Sequence, residues 1–177
     1  MDLITQHPKS NGSDAILTII DQGCTRVAVF LPCSTTITGE GVAQLYLKNI
    51  YRWFGLPERV ITNRDPQFMS HFTKALCEKL QIQQNISLAF HPQMDSLSER
   101  TNQWIKQFLH LVAGARQDNW RNWLPVTTVA YNNHRNSTTK IPLAEVLLEY
   151  LPTLHPLTSP ITNSEGVEKR VIQAQQA

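Results

Sequence analysis

Between residues 97 and 115, Leu97, Thr101, Trp104, Phe108, Leu111 and Ala115 recur at steps of three and four, the stripe of a helix lying on a core. Glu99, Gln103, Lys106 and His110 recur on another face. Glu99 and Lys106 stand about two turns apart, so an acid and a base share one side. Ser96 followed three residues later by Glu99 has capping-box spacing. This predicts that the helix opens at Ser96, after a polar stretch from His91 containing Pro92. Val60 to Thr62 and Ile86 to Ala89 are short apolar runs that suit buried strands.

Earlier in the chain the period shortens. Ala15 to Ile20 and Arg26 to Leu31 are β-rich runs joined by the turn signal Asp21-Gln-Gly23, which predicts a hairpin ending at Pro32. A further turn is expected at Lys9 to Ser13. Thr38 to Trp53 carries Val42, Leu45, Tyr46, Asn49, Ile50 and Trp53 at helical spacing and stops near Gly55 and Pro57. Ser70 to Leu80 reads as a helix with Phe72, Leu76 and Leu80 on one face. Asn119 to Asn133 reads as another, with Pro125 either starting its main section or kinking it. Trp120, Trp123 and Leu124 are its core residues. A hairpin followed by β–α alternation predicts a mixed sheet of about five strands with helices against it, an α/β fold.

Composition adds limits rather than direction. A chain of 177 residues with 41% hydrophobic and 17% charged residues can bury a real core and is not of disordered type. The net charge of +2 is too small to argue for nucleic acid. No apolar run approaches a membrane span and no signal-peptide pattern opens the chain, so no membrane association is expected. Cys24, Cys33 and Cys77 are odd in number, lack metal-type spacing, and read as reduced, mostly buried thiols of an intracellular protein.

The segment FHPQMDSLSERTNQ resembles the motif around the catalytic glutamate in integrases of gypsy-type long-terminal-repeat retrotransposons. Three other segments match in the same order: MDLITQHPKSNGSDAILTIID, FGLPERVITNRDPQFMSHF and DNWRNWLPVTTVAYNN. The likeness covers about residues 1–150, taken as one catalytic core. Residues 151–177, with Pro152, Pro156 and Pro160, are expected to form a linker and a short terminal helix. The resemblance implies a ribonuclease H-like fold with a truncated first strand, and a chain without the family's zinc-binding N-terminal and DNA- or chromatin-binding C-terminal modules.

It also implies a chemistry. Integrases of this kind hold two divalent metals, Mg²⁺ or Mn²⁺, on Asp, Asp and Glu, because hard cations take anionic oxygen ligands. Asp2 and Glu99 match the first and third carboxylates, although Asp2 alone would read as a terminal residue and Glu99 as a capping one. The family's second aspartate falls at position 63, and its spacing of 35 residues to the glutamate is kept. The residue there is Asn63. A neutral amide is a weaker ligand for such an ion, so catalysis is expected to be impaired. Asp65, where the family has glycine, is the candidate substitute; its bland reading is a loop acid before Pro66. Ser96-Leu97 in place of Gly-Gln is expected to stiffen the loop.

The partners implied are DNA or another nucleic acid, met by Lys106, Arg100, Gln103 and His91, and a further copy of the chain, as in the family. A nuclear protein, cytoplasmic before import, is the matching expectation. The alternative function is a domesticated or decaying module that binds nucleic acid or protein without chemistry.

Overall fold

The computed structural model describes residues 1–62, 65–69, 74, 77–78, 80–86, 92–114, 118–135 and 140–152. Three antiparallel strands open the fold: β1 (Asp2–Ile4), β2 (Ala15–Ile20) and β3 (Ala28–Cys33), paired in that order. β2 lies in the middle, and alternation along it feeds both faces. Ile16 joins Ile4, Phe30, Ile105, Leu109, Trp120 and Leu124 on one side; Ala15 and Leu17 join Leu31, Val42 and Phe68 on the other. Two cores on one sheet make a layered α/β fold.

The turns that position these strands are made by local chemistry. Asn11 and Gly12 both take positive φ, so Ser10 and Ser13 exchange two backbone bonds of 2.8 and 3.0 Å. The Asp21 carboxylate accepts from the Gly23 and Thr25 N–H groups and from the Thr25 hydroxyl. β3 does not stop at Pro32 as expected; Pro32 faces Ile16 in the ladder. Among the described residues its strand has a strand partner on one side only, where a missing N–H on the other costs no ladder bond.

The helix expected over 38–53 starts as predicted. Thr38 caps α1 (Gly39–Tyr46) by accepting from Gly41 N–H at 3.2 Å. A π-helical turn then spans Leu47–Tyr51 before α2 (Arg52–Phe54). The wider turn holds one more residue and rotates α2 by about 100°. Trp53, placed inside by an unbroken helical period, is 70% exposed instead. Gly55, at φ 72, ends the run.

β4 (Arg59–Thr62) pairs in parallel with β5 (Gln83–Ile86). β5 meets the apolar run of residues 86–89 at Ile86, and positions 87–89 of that run lie outside the described residues. Backbone pairing with β4 sets this register rather than side-chain hydrophobicity. The five expected strands are present as two ladders joined by a bond of 2.6 Å from the Met1 ammonium to the Ile61 carbonyl. Between β4 and β5 in the chain comes α3 (Pro66–Met69). The helix expected over 70–80 falls mostly outside the described residues.

The long helix is α4 (Pro92–Ala113). It opens four residues before Ser96, which is therefore no N-cap. Proline suits a first turn, where its missing N–H is not needed. The buried stripe also lies slightly to one side of the expected one. Thr101, Ile105 and Leu109 are the buried positions, Trp104 and Phe108 flank them, and Leu111 is 78% exposed. Ala115 lies outside the described residues. Next come α5 (Trp120–Asn133) and α6 (Leu143–Leu148). α5 runs unbroken through Pro125, and Trp120 and Leu124 enter the core as expected. Residues 153–177, with the terminal helix expected there, lie outside the described residues.

The Tyr131-Asn-Asn segment at the end of α5 acquires a physical role. The Asn132 amide accepts from Ala28 N–H at 2.9 Å and donates to Ala28 C=O at 2.8 Å, imitating a neighbouring strand on the open edge of β3. Tyr131 meets the Thr101 hydroxyl at 2.9 Å, and Asn133 donates to Pro152 C=O at 2.7 Å. Asn132→Ala strips both partners from a buried backbone unit. It is expected to lower the unfolding free energy by about 2–3 kcal/mol. Urea denaturation checks this, and a change under about 0.5 kcal/mol, the size of a neutral surface substitution, would dismiss the role.

Candidate metal and nucleic-acid site

Asp2 stands at the start of β1, whose neighbour Met1 bonds to β4. Its Oδ1 accepts from Leu3 N–H at 2.9 Å, and its Oδ2 accepts from Asn102 Nδ2 at 2.6 Å. Asn102 lies on α4 three residues after Glu99, so Glu99 sits one turn away on nearly the same face. Asp2 is half-buried and Glu99 exposed, and Asn102 links the strand of the first candidate carboxylate to the helix of the third. Thr62 ends β4 one residue after the Met1 contact, with a buried hydroxyl that has no hydrogen-bond partner among the described residues. Position 63 lies outside the described residues, as does His91.

Asp65 precedes α3. Its carbonyl accepts from Phe68 and Met69 N–H at 3.0 and 3.1 Å, opening α3. No group of three His, Cys, Asp or Glu able to hold an ion occurs among the described residues. Asp2 and Glu99 alone are two anionic oxygen donors of the type a hard cation takes. A buried Asn102 Oδ1 without a partner among the described residues fits a site with open polar capacity.

Arg100, Gln103 and Lys106 are all exposed on α4, as the helical period predicts. His7, which sequence reasoning passed over, packs against Trp120 with ring centroids 5.2 Å apart. Burial, with the Lys106 charge adding to it, holds the His7 imidazole below its ordinary pKa, so it stays neutral near pH 7. Nothing in the sequence pairs positions 7 and 106; only the fold does. Asn102 had a signal, its place one turn from Glu99, but no rule of spacing singled it out. The thiols take no part: Cys24 is exposed, Cys33 and Cys77 are buried, and burial pushes Cys33 up to about 11.

This arrangement of sheet and helices defines the class: it is the fold of retroviral integrase catalytic cores. The catalytic core domain of BIV integrase matches over 84% of this chain and 93% of its own, with TM-score 0.61 and 19% identity. The HTLV-2 integrase catalytic core domain, determined in complex with magnesium in a trimeric form, matches over 82% and 93%, with TM-score 0.62 and 15% identity. The particular relationship comes from sequence. The chain is homologous to retrotransposon polyproteins, being 31% identical over 160 residues, 90% of its length, to the transposon Tf2-3 and Tf2-4 polyproteins of Schizosaccharomyces pombe. It spans 12% of the length of these relatives. No family model matches it.

Proposed function

We propose that the chain is the ribonuclease H-like catalytic core of a gypsy-type retrotransposon integrase, a nucleic-acid-binding domain of DNA integration whose catalysis is impaired at position 63. The observation that carries this reading is the Asp2–Asn102 bond, which brings Asp2 to the helix face of Glu99. Asp2 and Glu99 would hold Mg²⁺ or Mn²⁺. When bound, such ions activate a water or a 3′ hydroxyl for in-line attack on a phosphodiester and stabilise the charge that develops. Asn63 lowers the anionic count of the site from three to two, which weakens at least one metal position. Asp65 is the remaining acid in its neighbourhood of the sequence. Such a core acts in the nucleus, on DNA, in an assembly with further copies of itself.

The protein contributes positioning around that site. Lys106, with Arg100 and Gln103 on the same exposed helix, presents donors to a phosphate backbone, and His91 completes the set in sequence. Lys106→Ala is expected to weaken binding of duplex oligonucleotides of different sequence alike. It should also lower the slope of log K against log salt by about one. Fluorescence anisotropy at graded salt reads both. A loss confined to one sequence would contradict a phosphate contact.

Asn63 also favours a second reading, a domesticated or decaying module that binds nucleic acid or protein without chemistry. Absence of any duplex binding at low salt would point to the protein-binding form of that module.

A further inference from the structure

We infer that the slot between β2 and β4 binds an extended apolar peptide as an added strand. This goes beyond the proposed function and does not depend on the metal site. β1 lies between the two ladders for only part of their length. Its pairing with β2 starts at Asp2 opposite Thr18, while β2 continues to Ile20. On the other side Met1 meets β4 at the Ile61 carbonyl, and β4 extends back to Arg59. Past Met1 the two strand edges border a cavity of about 700 Å³.

Backbone groups on both sides are directed into this cavity. Successive residues of a strand send their N–H and C=O groups to alternate sides. Asp21 N–H bonds Val27 C=O, on the β3 side, so Ile20 presents both of its groups on the side of β1. Ile61 presents its carbonyl to Met1, and by the same alternation Arg59 faces that way too. A strand lying in line with β1 therefore meets Ile20 on one side and Arg59 and Ile61 on the other. These paired edges select an extended backbone. A compact apolar molecule fills the same space but cannot continue the ladders.

The side chains around the slot say which residues suit it. Ile19 packs with the core of Val42 and Phe68, and Ile20 with that of Phe30 and Leu124, so the lining reaches both faces of the sheet. Val29, Ile50, Val60 and Leu147 add to this apolar lining. A strand covered on both faces takes apolar residues at successive positions rather than alternate ones. The lining follows β2 and its turn from Ile19 to Gly23. At about 3.3 Å per residue, that length holds about four residues. Asp21 and Glu58, against the single Arg59, lie at the end away from Met1 and favour a basic residue there.

The probe is acetyl-Lys-Val-Ile-Val-amide, titrated into the unaltered chain by isothermal calorimetry, with amide hydrogen exchange read by NMR. Saturable binding of one peptide per chain is expected, with slowed exchange at the Ile20 and Arg59 N–H groups. The same peptide N-methylated at its isoleucine keeps its apolar area and loses a strand donor. It is expected to bind at least about tenfold more weakly. Equal binding of the two peptides overturns the inference, since adsorption to an apolar surface does not depend on a backbone donor. So does slowed exchange confined to other segments, or no saturation below about 1 mM peptide. The protein is the same in every arm, so none of these results can arise from a variant that fails to fold. A chain that holds no metal leaves the outcome unchanged.

Discussion

Asn63→Asp is expected to convert a nearly silent chain into a metal-dependent strand-transfer enzyme, raising activity by about two orders of magnitude or more. The size comes from charge. A divalent metal supplies several kcal/mol of transition-state stabilisation, and each 1.4 kcal/mol is about a factor of ten. That stabilisation is available only if the ion is held, and a hard cation is held by anionic oxygens. Asp2 and Glu99 give two such side chains; an aspartate at position 63 gives the third, at the spacing that the resemblance requires. Asp65→Gly in the same chain removes a Cβ from the loop before α3 and restores the flexibility a glycine brings. The assay is metal-dependent cleavage and joining of a labelled terminal-repeat oligonucleotide by parent, single and double variants. Robust activity in the unmodified chain would overturn the impaired reading and promote Asp65 to ligand. Silence in all three would shift the cause away from Asn63, to what lies around the core.

Trp120→Ala is expected to cost about 3–5 kcal/mol of stability, the range for deleting a large buried aromatic. Trp120 is 1% exposed, inside the core built by Ile4, Ile16, Phe30, Ile105 and Leu109. Its indole N–H donates to Pro8 C=O at 2.6 Å, and its ring packs on His7. The side chain thus holds the segment just after β1. Trp120→Phe keeps most of the volume and loses the hydrogen bond, at about 1 kcal/mol. Urea denaturation of the two variants separates cavity from bond. A Trp120→Ala chain as stable as the parent would mean that this core can collapse onto the gap.

Part of the fold is legible in the sequence alone. The hairpin is, because Asp21 and Gly23 mark its turn and β2 alternates into two cores. The faces of α4 are legible to within one residue, since a period of 3.6 fixes which side chains share a side. Glu99, Gln103, Lys106 and His110 are accordingly all exposed, while the neighbouring choice of Leu111 for the core missed. Asn63 is a matter of identity and spacing, and so entirely of sequence.

What the sequence could not supply depends on contacts between distant positions. β5 begins at Gln83, because a strand's register is fixed by the partner it pairs with. The π-helical turn that exposes Trp53 breaks a period that local propensity would continue. Asp2 reads as a terminal residue until Asn102, a hundred positions away, donates to it at 2.6 Å. His7, likewise, meets Trp120 only in space. Local pattern decides which face a residue occupies, since helix and strand repeat over a few residues. Which faces meet is decided by burial of the whole chain, and the candidate site is made of such meetings.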